Sequence, residues 1–232
     1  MISQIDRIRF LAARALRWKR ASLDGVLLSI DPATIPYKVR SGIVLGVYES
    51  PERRFFKEVI RPADRVLDLG ACIGLTSIIA AKIVGDENVL AYEADPAMQP
   101  LIAANFAMNG VGPTLVMKAV TADGRDVVFH LGKAPYSSSI HARGTNRDIS
   151  VGSDPLTDIL HEFRPTVVSM DIEGAEIELI CSSRLPNVGK LIVEMHPQIV
   201  GSEAVSRCEG HLAKLGFQLM SSDHSVGLFV RK

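Results

Sequence analysis

The sequence predicts an α/β domain on a mainly parallel sheet, and three observations carry that reading. From Arg65 onward, short Val/Ile/Leu-rich runs alternate with helical stretches, the pattern of strand–helix units whose strands are covered on both faces. The run "VLDLG" leads through a second glycine, Gly74, straight into a helix, a turn that leaves backbone open to close approach. The last two apolar runs, "FQLMSS" and "SVGLFVRK", share only the polar join "SDH" and form an antiparallel hairpin. Together they give seven strands, one of them reversed.

Taken in order, residues 1–24 place Ile2, Ile5, Ile8, Leu11, Ala12, Ala15, Leu16 and Trp18 on one helical face, with Arg7, Arg9, Arg14, Arg17 and Arg20 opposite. That amphipathic helix is expected to pack on the domain or on a second copy, a homodimer being one option, while a membrane-surface helix or a targeting peptide stays open. Residues 25–64 form an accessory segment, with "VRSGIVLGVYES" read as a short strand pair and "ERRFFKEVI" as a helix. Residues 65–232 are the main domain. "RVLDLG" is its first strand, 75–84 a helix and "NVLAYEA" the second strand. "PAMQPLIAANFAMNG" is a helix entered at Pro96 and stopped at Asn109-Gly110, and "TLVMKAVTA" is the third strand. "TVVSMDIEG", a helix over 175–182, "KLIVEMHP" and a helix over 202–215 lead to the closing hairpin. Between residues 124 and 152, "RDVVFHLG" and "NRDISVG" flank the polar "KAPYSSSIHARGT", an inserted β-hairpin with a serine-rich tip.

Bulk composition narrows the function. The 232 residues are 47% hydrophobic and carry zero formal net charge, enough for one buried core and without the basic footprint of a nucleic-acid binder. Cys72, Cys181 and Cys208 lie far apart, so neither a disulfide framework nor a paired metal motif is expected, and a reducing cytoplasm suits them. No apolar run approaches the ~20 residues that span a bilayer.

In open α/β sheets, ligands bind beyond the carboxyl ends of the strands. Gly70 and Gly74 stand there, ahead of helix N–H groups that favour a carboxylate or phosphate, with Thr76 at hand. A dinucleotide fingerprint needs a middle glycine and a P-loop needs a lysine; this loop has neither. Asp68 would repel a pyrophosphate and suits an ammonium group. Glu93 follows 25 positions later, at the tip of the second strand, where an acid accepts hydrogen bonds from both ribose hydroxyls. An ammonium, a carboxylate and a ribose on one ligand describe S-adenosylmethionine.

"VLDLGACIG", "AYEADP", "LIAANFAMNG", "SMDIEGAEIELI" and "LIVEMHP" resemble the FkbM family of S-adenosylmethionine-dependent methyltransferases, over roughly residues 45 to 200. The resemblance implies a Rossmann-like class I methyltransferase fold and methylation of a hydroxyl oxygen on a small molecule, sugar or natural product. It implies Asp68, Gly70, Ala71, Cys72 and Gly74 as the cofactor loop and Glu93 as the ribose acid. Ala94 and Asp95, then Ala122 and Asp123, fall at the adenine edge, and Tyr48 with Glu49 at a wall of the methionine pocket. The chain departs from the family where a lysine is common, at Ser169.

The reacting methyl would lie over the middle strand ends, where Asp171, Glu173, Glu194 and His196 gather as candidate catalytic groups. His196 has the intrinsic pKa of a base near neutrality, and Asp171 suits orienting the acceptor or the cofactor ammonium. Asp171, Glu194 and His196 also have the chemistry to hold a divalent ion, although no metal is predicted. Glu176 and Glu178 read as a solvated helix start. Ser137, Ser138, Ser139, His141 and Arg143 on the hairpin tip are assigned to the acceptor. An amine acceptor, or a cofactor-binding protein without catalysis, remains open at this point.

Overall fold

The structure, a computed structural model, describes residues 18–131 and 147–232. Its centre is a seven-stranded sheet. Strands β3 (Val66–Leu69), β4 (Val89–Tyr92), β5 (Thr114–Val116), β10 (Val167–Met170) and β11 (Lys190–Glu194) run parallel. The hairpin of β12 (Phe217–Asp223) and β13 (Val226–Arg231) closes one side in the order β12-β13-β11-β10-β3-β4-β5. Since β13 is antiparallel to both neighbours, it alone is reversed.

Alternation along the strands builds two cores. Val66, Val167 and Ile192 point to one face, and Leu67, Val168, Leu191 and Val193 to the other. The first face is covered by α3 (Leu75–Val84), apolar almost all round, and by α4 (Gln99–Asn109), which ends where Gly110 takes a left-handed conformation. The second face packs α5 (Leu156–Phe163), α6 (Glu176–Ser182) and α8 (Ser202–Lys214), the last burying only Cys208 and Leu212. A single turn, α7 (Pro197–Val200), precedes α8.

The accessory segment differs from its sequence reading. Residues 1–17 of the helix expected over 1–24 lie outside the described residues, and Arg20–Leu23 is not helical. It is strand β1, paired with β2 (Val26–Ser29) across Asp24-Gly25. Both turn residues have positive φ, 54° and 79°, the requirement of a tight hairpin that Asp-Gly meets. The expected strand pair in "VRSGIVLGVYES" is instead helix α1 (Tyr37–Leu45), which buries Val39, Ile43 and Val44. Its β-branched residues suggested strand, but their spacing gives one helical face and burial there overrides propensity. Helix α2 (Ser50–Val59) follows as expected, docked through Arg53, which pairs with Asp24 and donates to Tyr48 O and Gly46 O.

The expected third strand divides. Thr114–Val116 joins the sheet, whereas β6 (Ala119–Thr121) leaves it to pair in parallel with β9 (Ser153–Pro155). From this junction the inserted hairpin, β7 (Val127–Leu131) with β8 (Arg147–Val151), projects as an antiparallel pair. Among the described residues, no helix is long and apolar enough to cross a membrane.

Candidate active site

The glycine turn is shaped from within the protein. Gly70 has φ +89°, and a Cβ on it would lie 1.9 Å from the carbonyl oxygen of Asp171, so the ends of β3 and β10 touch there. Gly74, at φ +80°, starts α3 against Phe106 and Ile102 of α4. Between them Cys72 is also left-handed, and its N–H faces Glu93. Asp68 is buried with its carboxylate turned to the helix, accepting from Thr76 Oγ1 at 2.8 Å and Ser77 Oγ at 2.5 Å. Asp68 Oδ2 thus holds the start of α3 through both hydroxyls. Burial raises the Asp68 pKa, with the two hydroxyls opposing it. Ser169 stands beside Asp68 in the sheet register, at the position where the resembling family carries lysine.

Glu93 joins the second strand to this turn. The residue is 9% exposed, and its carboxylate accepts from the N–H groups of Cys72 and Asp95, each at 2.8 Å. Asp95 in turn accepts from Ala97 N, capping a single 3-10 turn. Ala71 is buried, and Ala94 packs on Ala119, Val127 and Val151 at the foot of the inserted hairpin. Asp123 is exposed at that foot and accepts from Arg125, which also donates to Glu178, while its neighbour Ala122 is half-buried. Tyr48 comes to the same end, its hydroxyl 3.4 Å from Cys72 Sγ, and Glu49 follows in a left-handed conformation. Asn105 was not singled out by the sequence. Fully buried, it donates to Ile73 O and accepts from Ser29 N, tying the turn to β2.

Burial acts on several of these acids. It pushes Glu93 up to about 7, Glu49 to about 8 and Glu52 to about 6, from an ordinary 4.5. Such groups bind protons in the folded chain over a range where the unfolded chain has lost them, so stability falls as pH rises from 4.5 to about 8. The acids with lowered pKa, Asp24, Asp31, Asp64 and Asp123, lose their contribution as pH falls through the ordinary 3.8, on the acid side of that window. The ligand-free protein is expected to melt higher at about pH 5.5 than at about pH 8. Scanning calorimetry across the interval tests this, and a melting temperature that climbs with pH would contradict it.

The four candidate catalytic residues come together. His196 is 4% exposed at the end of β11. Its Nε2 faces Glu173 Oε2 at 3.7 Å, Asp171 Oδ1 at 3.8 Å and Glu194 Oε1 at 3.9 Å. Glu194 also accepts from Ser225 Oγ at 2.7 Å. Burial would lower the His196 pKa, but Glu176 and the other carboxylates outweigh it and raise it. Asp171 is raised well above the carboxylate range, by burial first and then by Glu194, Glu49 and Glu173.

Glu176 corrects the sequence reading. It is not a solvated helix-start charge but 1% exposed, accepting from Ile172 N and Gly174 N at 2.9 Å each and lying 3.2 Å from His196 Nδ1. It ties "DIEG" into a loop whose residues Glu173 and Gly174 both have positive φ. The signal was present: an acid placed just after a glycine turn with no other acceptor for its N–H groups. Glu178, by contrast, is solvated and pairs with Arg125. Ser137, Ser138, Ser139, His141 and Arg143 lie outside the described residues.

Sheet order, the single reversed strand and the glycine turn with its acid partner define the Rossmann-like class I methyltransferase fold. Among solved structures, the chain is similar to the Pyrococcus abyssi tRNA (uracil-54, C5)-methyltransferase in complex with S-adenosyl-L-homocysteine. The match has TM-score 0.52 and 14% identity, over 91% of this chain and 43% of that one. It is also similar to P. horikoshii TYW2 in complex with MeSAdo, at TM-score 0.50 and 15% identity, over 97% and 80% of the two chains. In sequence it is 30% identical over 145 residues to the ribosomal protein L11 methyltransferase of Thermus thermophilus. That match covers 59% of this chain and 56% of the relative, so the chain spans little more than half the relative's length. No family model matches the chain, so the FkbM likeness stays a resemblance.

Proposed function

We propose that the protein is an S-adenosylmethionine-dependent methyltransferase acting on a hydroxyl of a small molecule, sugar or natural product. One observation carries the cofactor assignment: buried Glu93, at the tip of β4, reaches the N–H of Cys72 in the glycine turn at 2.8 Å. An acid with the chemistry to accept from ribose hydroxyls thus lies beside a backbone shaped for close approach. The methyltransferase relative and the fold support the same reading. Glu93 would hold the ribose, with Ala71 and Cys72 beneath the nucleoside and Tyr48 and Glu49 beside the methionyl part. Ala94, Asp95, Ala122 and Asp123 would border the adenine. The cofactor supplies an electrophilic methyl on sulfonium sulfur.

What the chain itself contributes is position and a proton acceptor. In-line displacement gains most of its rate from orientation, and a hydroxyl gains further from a base. Asp171, Glu173, Glu194 and His196 surround the place where that hydroxyl would sit, with the hairpin tip (Ser137, Ser138, Ser139, His141, Arg143) assigned to the rest of the acceptor. A protein acceptor is the second reading, favoured by the relative's action on ribosomal protein L11. Labelled methyl donor offered in parallel to hydroxyl metabolites and to a ribosomal protein fraction decides between them.

S-Adenosylhomocysteine should bind the native protein and raise its melting temperature. Glu93→Ala removes two hydrogen-bond acceptors, each worth ~0.5–1.5 kcal/mol, so affinity should drop roughly 5- to 150-fold. Calorimetry showing equal dissociation constants for the two proteins would refute the ribose assignment.

A further inference from the structure

We infer that Asp171, Glu173 and His196 bind a hard divalent cation of the Mg2+ or Mn2+ class, with Glu194 at its side. One ligand atom from each of the three residues can be chosen so that all lie within 4.8 Å of one another. The His196 side chain is 5% exposed, and its Nε2 points into the carboxylates of Asp171, Glu173 and Glu194 at 3.7–3.9 Å. Those distances are too long for hydrogen bonds and too short for indifference. An ion with bonds of about 2.0–2.2 Å would draw the groups inward by less than about 1 Å.

An orphaned atom points the same way. Asp171 Oδ1 is buried without a hydrogen-bond partner. A buried polar atom left alone is costly, and a missing ion is one standard reason for it. Behind the ring, Glu176 Oε1 stands 3.2 Å from Nδ1, where a small rotation would seat the N–H on the carboxylate. That is the outer-shell arrangement which fixes the tautomer of metal-binding histidines and aims the Nε2 lone pair at the ion. Without an ion, this lone pair would face three carboxylates.

Charge completes the argument. Among the described residues, the ion pairs of Asp171, Glu176 and Glu194 all run to His196, and none to a lysine or arginine. One imidazole cannot balance them. Carboxylate oxygens with a single imidazole suit Mg2+ or Mn2+ better than a thiophilic metal. On the methyltransferase reading, on which this step alone rests, the ion would bind the acceptor hydroxyl and lower its pKa. The proton would pass to Glu194, the oxygen lone pair would form the new C–O bond, and the C–S bond would break to leave a neutral thioether.

Mn2+ titrated into the metal-stripped full-length protein, followed by electron paramagnetic resonance, tests the site, with S-adenosylhomocysteine affinity measured on the same samples. One Mn2+ per chain is expected, held at least 10-fold more weakly in His196→Gln and in Glu173→Gln. Glu173 is partly exposed, so its variant keeps the test valid where the buried histidine substitution disturbs folding. No Mn2+ binding by the folded chain, or equal binding in wild type and both variants, overturns the inference. Mn2+ bound with no affinity for the nucleoside supports the ion site and counts against the cofactor assignment instead.

Discussion

Replacing Gly70 with alanine is expected to destabilise the protein by about 2–6 kcal/mol, the sum of backbone strain and overpacking of ~1–3 kcal/mol each. The residue sits at φ +89°, and the new methyl would fall 1.9 Å from the Asp171 carbonyl oxygen. The atom in its way is backbone at the end of a fully buried strand, so it cannot swing aside. At roughly 2–4 °C per kcal/mol for a chain of this size, melting should fall by about 4–24 °C. Any variant that stays folded should carry Asp171 displaced. An alanine variant melting within a degree of wild type would show that β3 and β10 do not meet as described.

Glu176→Ala should be comparably severe, at about 3–5 kcal/mol, the cost of breaking a buried charged network by removing one partner. It strands the N–H groups of Ile172 and Gly174 and removes the carboxylate behind His196. Glu176→Gln keeps one acceptor oxygen and should lose less. Urea unfolding of the three proteins gives the ranking, and a loss under about 0.5 kcal/mol in the alanine variant would return Glu176 to the surface role its sequence context suggested.

The difference between these residues explains what could be read in advance. Gly70, Gly74 and the apolar runs around them announce themselves through local chemistry: a glycine that must be glycine, strands buried on both faces, helices closed by Asn109-Gly110. The central sheet was legible for that reason, down to one reversed strand in a closing hairpin, because a short polar join leaves few options. Roles set by distant neighbours were not. The bonds of Asp68 to Thr76 and Ser77, in the first turn of α3, are set by the fold rather than by any local signal. Glu176 looked like a helix-start charge: the glycine turn before it hints at N–H groups in need of an acceptor, but nothing local reports that His196 packs over it. Asp24-Gly25, a strong hairpin signal, was hidden inside a longer helical pattern. The convergence of Asp171, Glu173, Glu194 and His196 was readable, since all four lie at or just past the ends of adjacent strands.

The small parallel ladder of β6 with β9 has a consequence for how such a protein can evolve. It closes on itself, with Thr121 bonded to Ser153 across it, and takes no strand position in the central sheet. The loops it clamps can therefore lengthen, shrink or be traded between lineages while the machinery beneath keeps its register. Under the proposed function, the repertoire of acceptors could diversify by cassette exchange at this clasp, without renegotiating how the methyl donor is held.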